Sequence, residues 1–347
     1  MSTSAWLRVV FVVLLSTGAA SPTALQQGAP PLRAVPVEPI GAILDAFRSH
    51  SVVALSESHG NEQGHAFRLS LIRDPRFATT VNDIVVEFGN ARYQELMDRF
   101  VRGDDVGAEA LRHVWQDTTA ISGAWDRPIY EEFFRAVRAV NASLPRDRQL
   151  RVLLGDLPLD WDEVRRGADG PMTKRQGQVR LFGIWVNRSE ASAMDRNRHA
   201  AEVVRREVLA KQRRALVIYG GMHLFRGGKT IVALLESTGE ARVFSITDAT
   251  GTSFDSLNEM QPDVASWPVP SLAMVSGTGL TRRELSYFDA VLYLGPPSAM
   301  TVSRLRPSLC SDAGYIEMRR QRMAWYGLPQ AEADQLLERD CPKAASE

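Results

Sequence analysis

Acidic and histidine side chains follow directly after four short apolar runs of the sequence. Residues 51–65 read SVVALSESHGNEQGH, so Glu57 and His59 come just behind the apolar run 52–55. The other three runs lead to Glu87, Asp156 and His223. A carboxylate beside an imidazole orients the ring and raises its basicity, and an imidazole titrates near neutral pH. These residue types therefore indicate a site where His59 acts as a general base on water.

The apolar runs have to lie side by side if these residues are to meet. Runs rich in β-branched residues alternate with segments of helical period, which is the pattern of an α/β protein. The predicted strands are 52–55, 83–87, 151–155, 215–219, 241–246 and 290–294. Several are apolar throughout, as strands covered on both faces are. We therefore predict a mainly parallel central sheet with helices on both faces and a polar site at the carboxyl ends of its strands.

The segments between the strands predict helices and long loops. Residues 127–140, RPIYEEFFRAVRAV, place their apolar side chains on one face, and residues 193–213 predict a long basic helix. Residues 157–192 and 248–288 carry many Gly, Pro and Asp residues and are interpreted as loop insertions. Together these elements predict one α/β domain over residues 39–300.

A helix is expected directly after the first site segment, over residues 61–71, with its first residue as the N-cap. On this helix Glu62, His65 and Arg68 lie at turn spacing and share a face. If that face points to the strand ends, Arg68 can bind a substrate anion or stabilise developing negative charge. Glu62, His65 and Asp156 are accordingly additional candidate site residues.

The same residue types also allow metal-dependent chemistry. A divalent ion held by two or three of them would supply a bound water as the nucleophile. The candidate ligands are Glu57, His59, His65, Glu87 and His223. The sequence has no HExxH pattern, and a histidine pair six residues apart is a weak ligand signature. Metal-free and metal-bound hydrolysis therefore both stay open on the sequence alone.

The first residues have the layout of an export signal. Arg8 precedes the apolar run VVFVVLL, and small residues follow as far as residue 20. Residues 21–38 are rich in Pro, Gly, Ala and Gln and predict a disordered linker. The apolar run is too short to cross a bilayer. We expect a periplasmic or extracellular protein without stable membrane insertion once residues 1–20 are removed, with an uncleaved signal anchor as the alternative.

A helical tail is predicted over residues 301–347, and it contains both cysteines of the chain. An oxidising compartment favours a disulfide between Cys310 and Cys341. Two unpaired thiols are the alternative. The bridge would close a loop of about 30 residues and stabilise the tail.

The charge balance excludes some classes of partner. Lys+Arg and Asp+Glu both number 41, so the chain has no net field that attracts nucleic acid or anionic lipid. We expect no nucleic-acid partner. A small molecule or a peptide is the expected substrate.

Five motifs resemble, in order, those of the ChaN-like proteins, which belong with the Tiki proteases and the erythromycin esterases in one superfamily. They are LSESHGNEQGH, VVEF, the pair Trp125 and Tyr130, MDRNRHAAEVV and YGGMH, and they span residues 55–224, about half of the chain. By position, the resemblance implies that the site residues of the family correspond to Glu57, His59, His65, Glu87 and His223. Arg68 stands nine residues after His59, where the erythromycin esterases have an arginine near the active site.

Two departures from the family pattern concern the first motif. Ser56 stands where many members have glycine, and the esterases space the glutamate one residue further from the histidine. The resemblance implies metal-free ester hydrolysis, metal-dependent peptide hydrolysis, or haem binding as in some ChaN proteins. The sequence therefore favours an exported hydrolase that cleaves an ester or amide bond. A haem- or iron-binding protein is the alternative.

Overall fold

A seven-stranded sheet forms the centre of the fold and confirms the predicted α/β architecture. The strands of the computed structural model are β1 (Val52–Ser56), β2 (Asp83–Asn90), β3 (Arg151–Asp156), β4 (Gln178–Leu181), β5 (Ile184–Asn187), β6 (Ala215–Tyr219), β7 (Val243–Asp248), β8 (Ser271–Met274) and β9 (Ala290–Tyr293). The sheet order is β3-β2-β6-β1-β7-β9-β8, and β4 pairs with β5 in a separate hairpin. Every pairing in the large sheet is parallel except that of β8 with β9.

The structure describes residues 33–168, 178–181, 184–187, 190–280 and 283–342. Its α-helices are α1 (Pro39–Ala46), α2 (Glu62–Arg73), α3 (Phe77–Thr80), α4 (Gln94–Arg102), α5 (Ala108–Gln116), α6 (Pro128–Ala142), α7 (Trp161–Ala168), α8 (Glu190–Glu207), α9 (Ile231–Ser237), α10 (Gly251–Met260), α11 (Pro307–Cys310), α12 (Ala313–Trp325) and α13 (Gln330–Asp340). Within these ranges no helix has the length and apolar character needed to cross a bilayer. The predicted signal segment 1–20 lies outside the described residues, as do residues 21–32 of the predicted linker.

Strand β1 shows why an apolar run without alternation forms a strand here. All five of its side chains are buried. Leu55 packs in a core with Phe67 of α2, whereas Ala54 points to the opposite face and packs with Val204 of α8. Helices therefore cover both faces of the sheet, and burial on both sides requires apolar residues at successive positions.

The six predicted strands correspond to β1, β2, β3, β6, β7 and β9. Strand β8 is not among the predicted strands, because its four residues lie within the Gly-, Pro- and Asp-rich segment 248–288, interpreted as a loop insertion. The two segments interpreted as loop insertions also contain short elements: α7, β4 and β5 in residues 157–192, and α10 and β8 in residues 248–288.

The last part of the predicted linker is ordered. Val37 exchanges two backbone hydrogen bonds with Leu272 of β8, at 2.8 and 3.0 Å. Arg33 pairs with Asp263 at 2.5 Å. Residues 33–38 thus cover the open edge of the sheet, an interaction that local composition does not reveal.

The predicted helical tail contains α11, α12 and α13, and a disulfide joins Cys310 to Cys341. Helix α12 also anchors the tail to the domain. The Tyr315 hydroxyl donates to Asp126 at 2.6 Å, and Arg322 donates to the carbonyl of Gln116 at 2.6 Å. The tail is therefore held by buried polar contacts in addition to the covalent bridge.

We expect reduction of the disulfide to lower the free energy of unfolding by roughly 3–4 kcal/mol, because a crosslink over this loop length restricts the unfolded chain. The sequence separation of Cys310 and Cys341 is 31 residues. Denaturant titration with and without dithiothreitol measures the effect. The double variant Cys310→Ala/Cys341→Ala is the control, because the reductant should leave its midpoint unchanged. Equal midpoints for oxidised and reduced wild type would contradict the prediction.

Candidate functional site

Strand β6 lies between β1 and β2 in the sheet, so the carboxyl ends of these three parallel strands lie side by side. Gly220, directly after β6, lies at the centre of the polar residues there. A Cβ atom built on it would lie 3.1 Å from His59 Cε1, 3.4 Å from Glu87 Oε2 and 3.6 Å from His223 Cδ2. The glycine therefore lets three predicted site residues converge around one backbone position: His59 after β1, Glu87 in β2 and His223 after β6.

Glu57 and His59 form the outer part of this cluster. His59 Nδ1 lies 2.6 Å from Glu57 Oε2, where the carboxylate side chain is 1% exposed and the imidazole 43%. The other oxygen of Glu57 accepts a hydrogen bond from the Tyr130 hydroxyl at 3.0 Å, and Arg68 Nη2 lies 3.5 Å from it. Tyr130 in turn accepts from the backbone N–H of Gly60 at 2.8 Å. The carboxylate is thus fixed on both sides, and the ring is exposed.

The surroundings of His59 favour its protonated form. Burial alone would lower the pKa of the imidazole, but the hydrogen bond and negative charge of Glu57, with the charge of Glu87, raise it above 6.5. The ring packs edge-on against Trp125, with 4.4 Å between ring centroids. Among the described residues, none forms a hydrogen bond with His59 Nε2. That nitrogen is therefore available to a water molecule or a substrate.

Glu87 forms the buried part of the cluster. Its Oε2 accepts a hydrogen bond from the backbone N–H of Gly220 at 2.7 Å, and its Oε1 lies 2.5 Å from Arg196 Nη2. Burial alone would raise the pKa of Glu87, but the charge of Arg196 and the contact with His223 hold it well below the usual range. Glu87 is therefore a fixed anion and cannot serve as a proton donor near neutral pH.

His223 lies between the two groups that fix its ring. Nδ1 is 2.6 Å from Asn197 Oδ1, an oxygen that only accepts, so Nδ1 carries the proton in this contact. Nε2 is 3.3 Å from Glu87 Oε1, and the side chain is 12% exposed. Both ring nitrogens of His223 thus have a partner, and its side chain is less exposed to solvent than that of His59.

Asp156 joins the cluster through Arg196. Arg196 Nε donates to Asp156 Oδ1 at 3.0 Å, and Thr119 donates to the same carboxylate from its backbone N–H at 2.6 Å and from its hydroxyl. The guanidinium therefore bridges the carboxylates of Glu87 in β2 and of Asp156 at the end of β3. Asp156 holds Arg196 in place against Glu87. Among the described hydrogen bonds, it has no direct contact with the exposed ring of His59.

Helix α2 has Asn61 as its N-cap, which confirms that prediction. Its three candidate site residues, however, point in different directions. Arg68 points to Glu57, whereas His65 Nε2 lies 3.1 Å from Glu132 of α6. Glu62 is exposed and accepts a hydrogen bond from Thr301 at 2.7 Å. The single face proposed for these residues is divided because α2 packs against both the sheet and α6.

The candidate metal ligands are not arranged as a metal centre. Across the described residues no group of three or more His, Cys, Asp or Glu side chains could hold a metal ion. The candidate ligands in the sequence are Glu57, His59, His65, Glu87 and His223. Their positions explain this, because Arg196 and Tyr130 occupy the carboxylates and His65 faces Glu132 instead.

Several residues of the site were not predicted as such. Arg196 and Asn197 lie within the motif MDRNRHAAEVV, and Tyr130 was noted only as part of an aromatic pair. Asp248 at the end of β7 accepts a hydrogen bond from the backbone N–H of Ser58 at 3.2 Å and contacts the hydroxyl of Ser56. The signal for Asp248 was its position at a strand end, the same signal that identified Glu87.

No family model matches the chain, and no curated protein is similar to it in sequence. Three solved structures resemble it in fold. The type III effector HopBA1 is 10% identical, with 77% of this chain and 98% of that one covered and a TM-score of 0.41. ChaN of Campylobacter jejuni, described with cofacial heme binding, is 12% identical, with coverage of 74% and 91% and a TM-score of 0.39. A Bacillus cereus protein is 12% identical, with coverage of 79% and 97% and a TM-score of 0.43.

We expect the pKa of the His59 imidazole to lie above its usual value and the Glu57→Gln variant to lower it, because the burial of the ring then lacks its largest opposing interaction. NMR titration of the histidine ring protons measures both values. Glu132→Gln, which removes the carboxylate beside His65, is the matched control and should leave His59 unchanged. A His59 pKa that is the same in wild type and Glu57→Gln would show that the contact with Glu57 has no effect on its basicity.

Proposed function

We propose that the protein is an exported hydrolase that cleaves an ester or amide bond with water activated by His59. The observation that carries the proposal is the 2.6 Å contact between His59 Nδ1 and a Glu57 carboxylate that is 1% exposed, beside an imidazole that is 43% exposed. A buried carboxylate fixes the ring and stabilises the imidazolium that forms on proton transfer. An exposed Nε2 can reach water and substrate.

In the proposed reaction His59 Nε2 takes a proton from water as the water oxygen attacks the carbonyl carbon. The proton is then donated from the imidazolium to the leaving alcohol or amine as the bond to the carbonyl carbon breaks. Glu57 balances the imidazolium charge, and Tyr130 and Arg68 hold Glu57 in place. His223, whose two ring nitrogens face Asn197 and Glu87, holds Glu87 in place and has no free N–H for the developing negative charge.

Arg68 has a different proposed role from the one expected on the sequence. Its side chain is 4% exposed and lies beside Glu57, so it positions the carboxylate and does not contact the substrate. The proposed substrate is a small molecule or a peptide, because the site residues lie at a sheet edge and the chain carries no net charge. Export remains part of the proposal on the sequence of residues 1–20.

We expect His59→Asn to lose hydrolytic activity by roughly hundredfold or more, the usual contribution of a general base. Initial rates on a panel of p-nitrophenyl esters and amides measure it. Since only the neutral imidazole accepts a proton, the wild-type rate should fall as the pH drops through the raised pKa of His59. His113→Asn is a matched control, because His113 also contacts a carboxylate, Asp117, at 2.9 Å. Equal rates for His59→Asn and wild type would exclude His59 as the base.

Haem binding is a second candidate function, and the exposed Nε2 of His59 is the observation that favours it. An axial histidine of haem iron typically has its other ring nitrogen hydrogen-bonded to a carboxylate or carbonyl, as Nδ1 is to Glu57 here. When bound, haem supplies an iron atom that takes an imidazole nitrogen as ligand. In this reading Glu57 orients the ligand, and no proton transfer to substrate is required.

The second candidate predicts a Soret band shift when haemin is titrated into the purified protein, with one haem or a cofacial pair bound per chain. His59→Asn should abolish the shift, whereas His113→Asn should retain it. Absence of a saturable shift in the wild type would remove the second candidate and leave the hydrolase proposal unaffected.

A further inference from the structure

A small cavity lies beside the site, where α5 and α6 approach α11 and the start of α12. Its volume is about 190 Å³, room for roughly six water molecules at liquid density. The charged residues that line it are Arg112, Asp126, Arg127, Glu131, Arg306 and Asp312. The cavity is therefore small and strongly polar, which suits a single charged group better than an apolar ligand.

Most of the acidic groups on the cavity wall already have partners. Glu131 pairs with Arg135 at 2.7 Å and with Arg306 at 2.9 Å. Asp312 caps α12 by accepting hydrogen bonds from two backbone N–H groups at 2.8 and 3.1 Å. One oxygen of Asp126 accepts from the Tyr315 hydroxyl. These contacts neutralise Glu131 and occupy Asp312 and one oxygen of Asp126.

Two positive charges on the wall have no such partners. Arg112 and Arg127 are partly buried, and among the described residues the guanidinium group of neither forms an ion pair or a hydrogen bond. A partly desolvated guanidinium without a partner is unfavourable, and two of them beside one cavity favour the binding of an anion. The second oxygen of Asp126 is buried without a hydrogen-bond partner within the described part of the chain.

Arg127 connects this cavity to the reacting group. A Cβ atom built on Gly60 would lie 2.8 Å from Arg127 Nη1, so the guanidinium rests against the backbone next to His59. Trp125, two residues before Arg127, packs edge-on against the His59 ring. A ligand that places an anionic group in the cavity can therefore place its remaining atoms toward His59.

We propose that the cavity is an anion-binding subsite in which Arg112 and Arg127 hold a carboxylate or phosphate group. The inference that an anion binds depends only on the residues of the cavity. That this anion belongs to the substrate of His59 rests on the proposed function. The substrate class that follows is an ester or amide with a carboxylate or phosphate group a few bonds from the scissile bond.

The test is calorimetric or NMR titration of inorganic phosphate and of acetate into the full chain. We expect saturable binding of at least one of them, weakened about tenfold in Arg127→Gln and in Arg112→Gln, since each variant removes one charge-assisted contact. The two arginines lie on different elements, so one variant remains informative if the other fails to fold. Arg48→Gln is the control, because Arg48 is exposed at the end of α1. The preferred anion distinguishes a carboxylate from a phosphate subsite.

The proposed subsite would be wrong if the wild type bound neither anion. It would also be wrong if both glutamine variants folded and bound the anion with wild-type affinity. His59→Asn separates the two proposals, because it should keep anion binding while losing hydrolysis. If hydrolysis is present, Arg127→Gln should raise KM for mono-p-nitrophenyl succinate about tenfold and leave KM for neutral p-nitrophenyl acetate unchanged. Equal KM changes for both esters would show that the cavity does not bind the anionic group of the substrate.

Discussion

The two ion pairs of the largely buried Arg196 guanidinium are the interaction on which the polar residues at the carboxyl ends of the strands depend. The guanidinium lies 2.5 Å from Glu87 and 3.0 Å from Asp156, so one positive charge serves two carboxylates on neighbouring strands. Removal of one partner from a buried charge network typically costs about 3–5 kcal/mol, because the remaining charges stay desolvated. Here the uncompensated groups would be two anions within one cluster. The convergence of β2 and β3 therefore requires an arginine from α8.

The charge distribution around Arg196 also determines which residue can do chemistry. Glu87 is held as an anion by Arg196, and its field adds to that of Glu57 in raising the pKa of His59. His223 shares Glu87 and is nearly closed to solvent, whereas His59 is open. Two histidines of the same cluster thus differ in role through exposure, and His59 is the one that can exchange a proton with bound water.

Strand-end positions made the main site predictable from the sequence. Glu57, Glu87 and His223 each follow a recognisable apolar run, and parallel strands bring such positions together. The partner Arg196 could not be identified in this way, because it lies in the middle of a basic helix where exposed arginines are common. The short strand β8 and the position of residues 33–38 on the sheet edge likewise depend on long-range pairing, which leaves no local pattern.

The C-terminal helices belong to the site more closely than a boundary at residue 300 suggests. The backbone N–H of Ser303 donates to the carbonyl of Gly60 at 2.8 Å, so the segment after residue 300 pairs with the loop that carries His59. Tyr315 then fixes Asp126, next to the tryptophan that packs on the His59 ring. The C-terminal segment thus contacts one side of the loop, and the loop is attached to the sheet through β1. The orientation of the exposed imidazole therefore depends on tertiary contacts from the middle and from the C-terminal part of the chain.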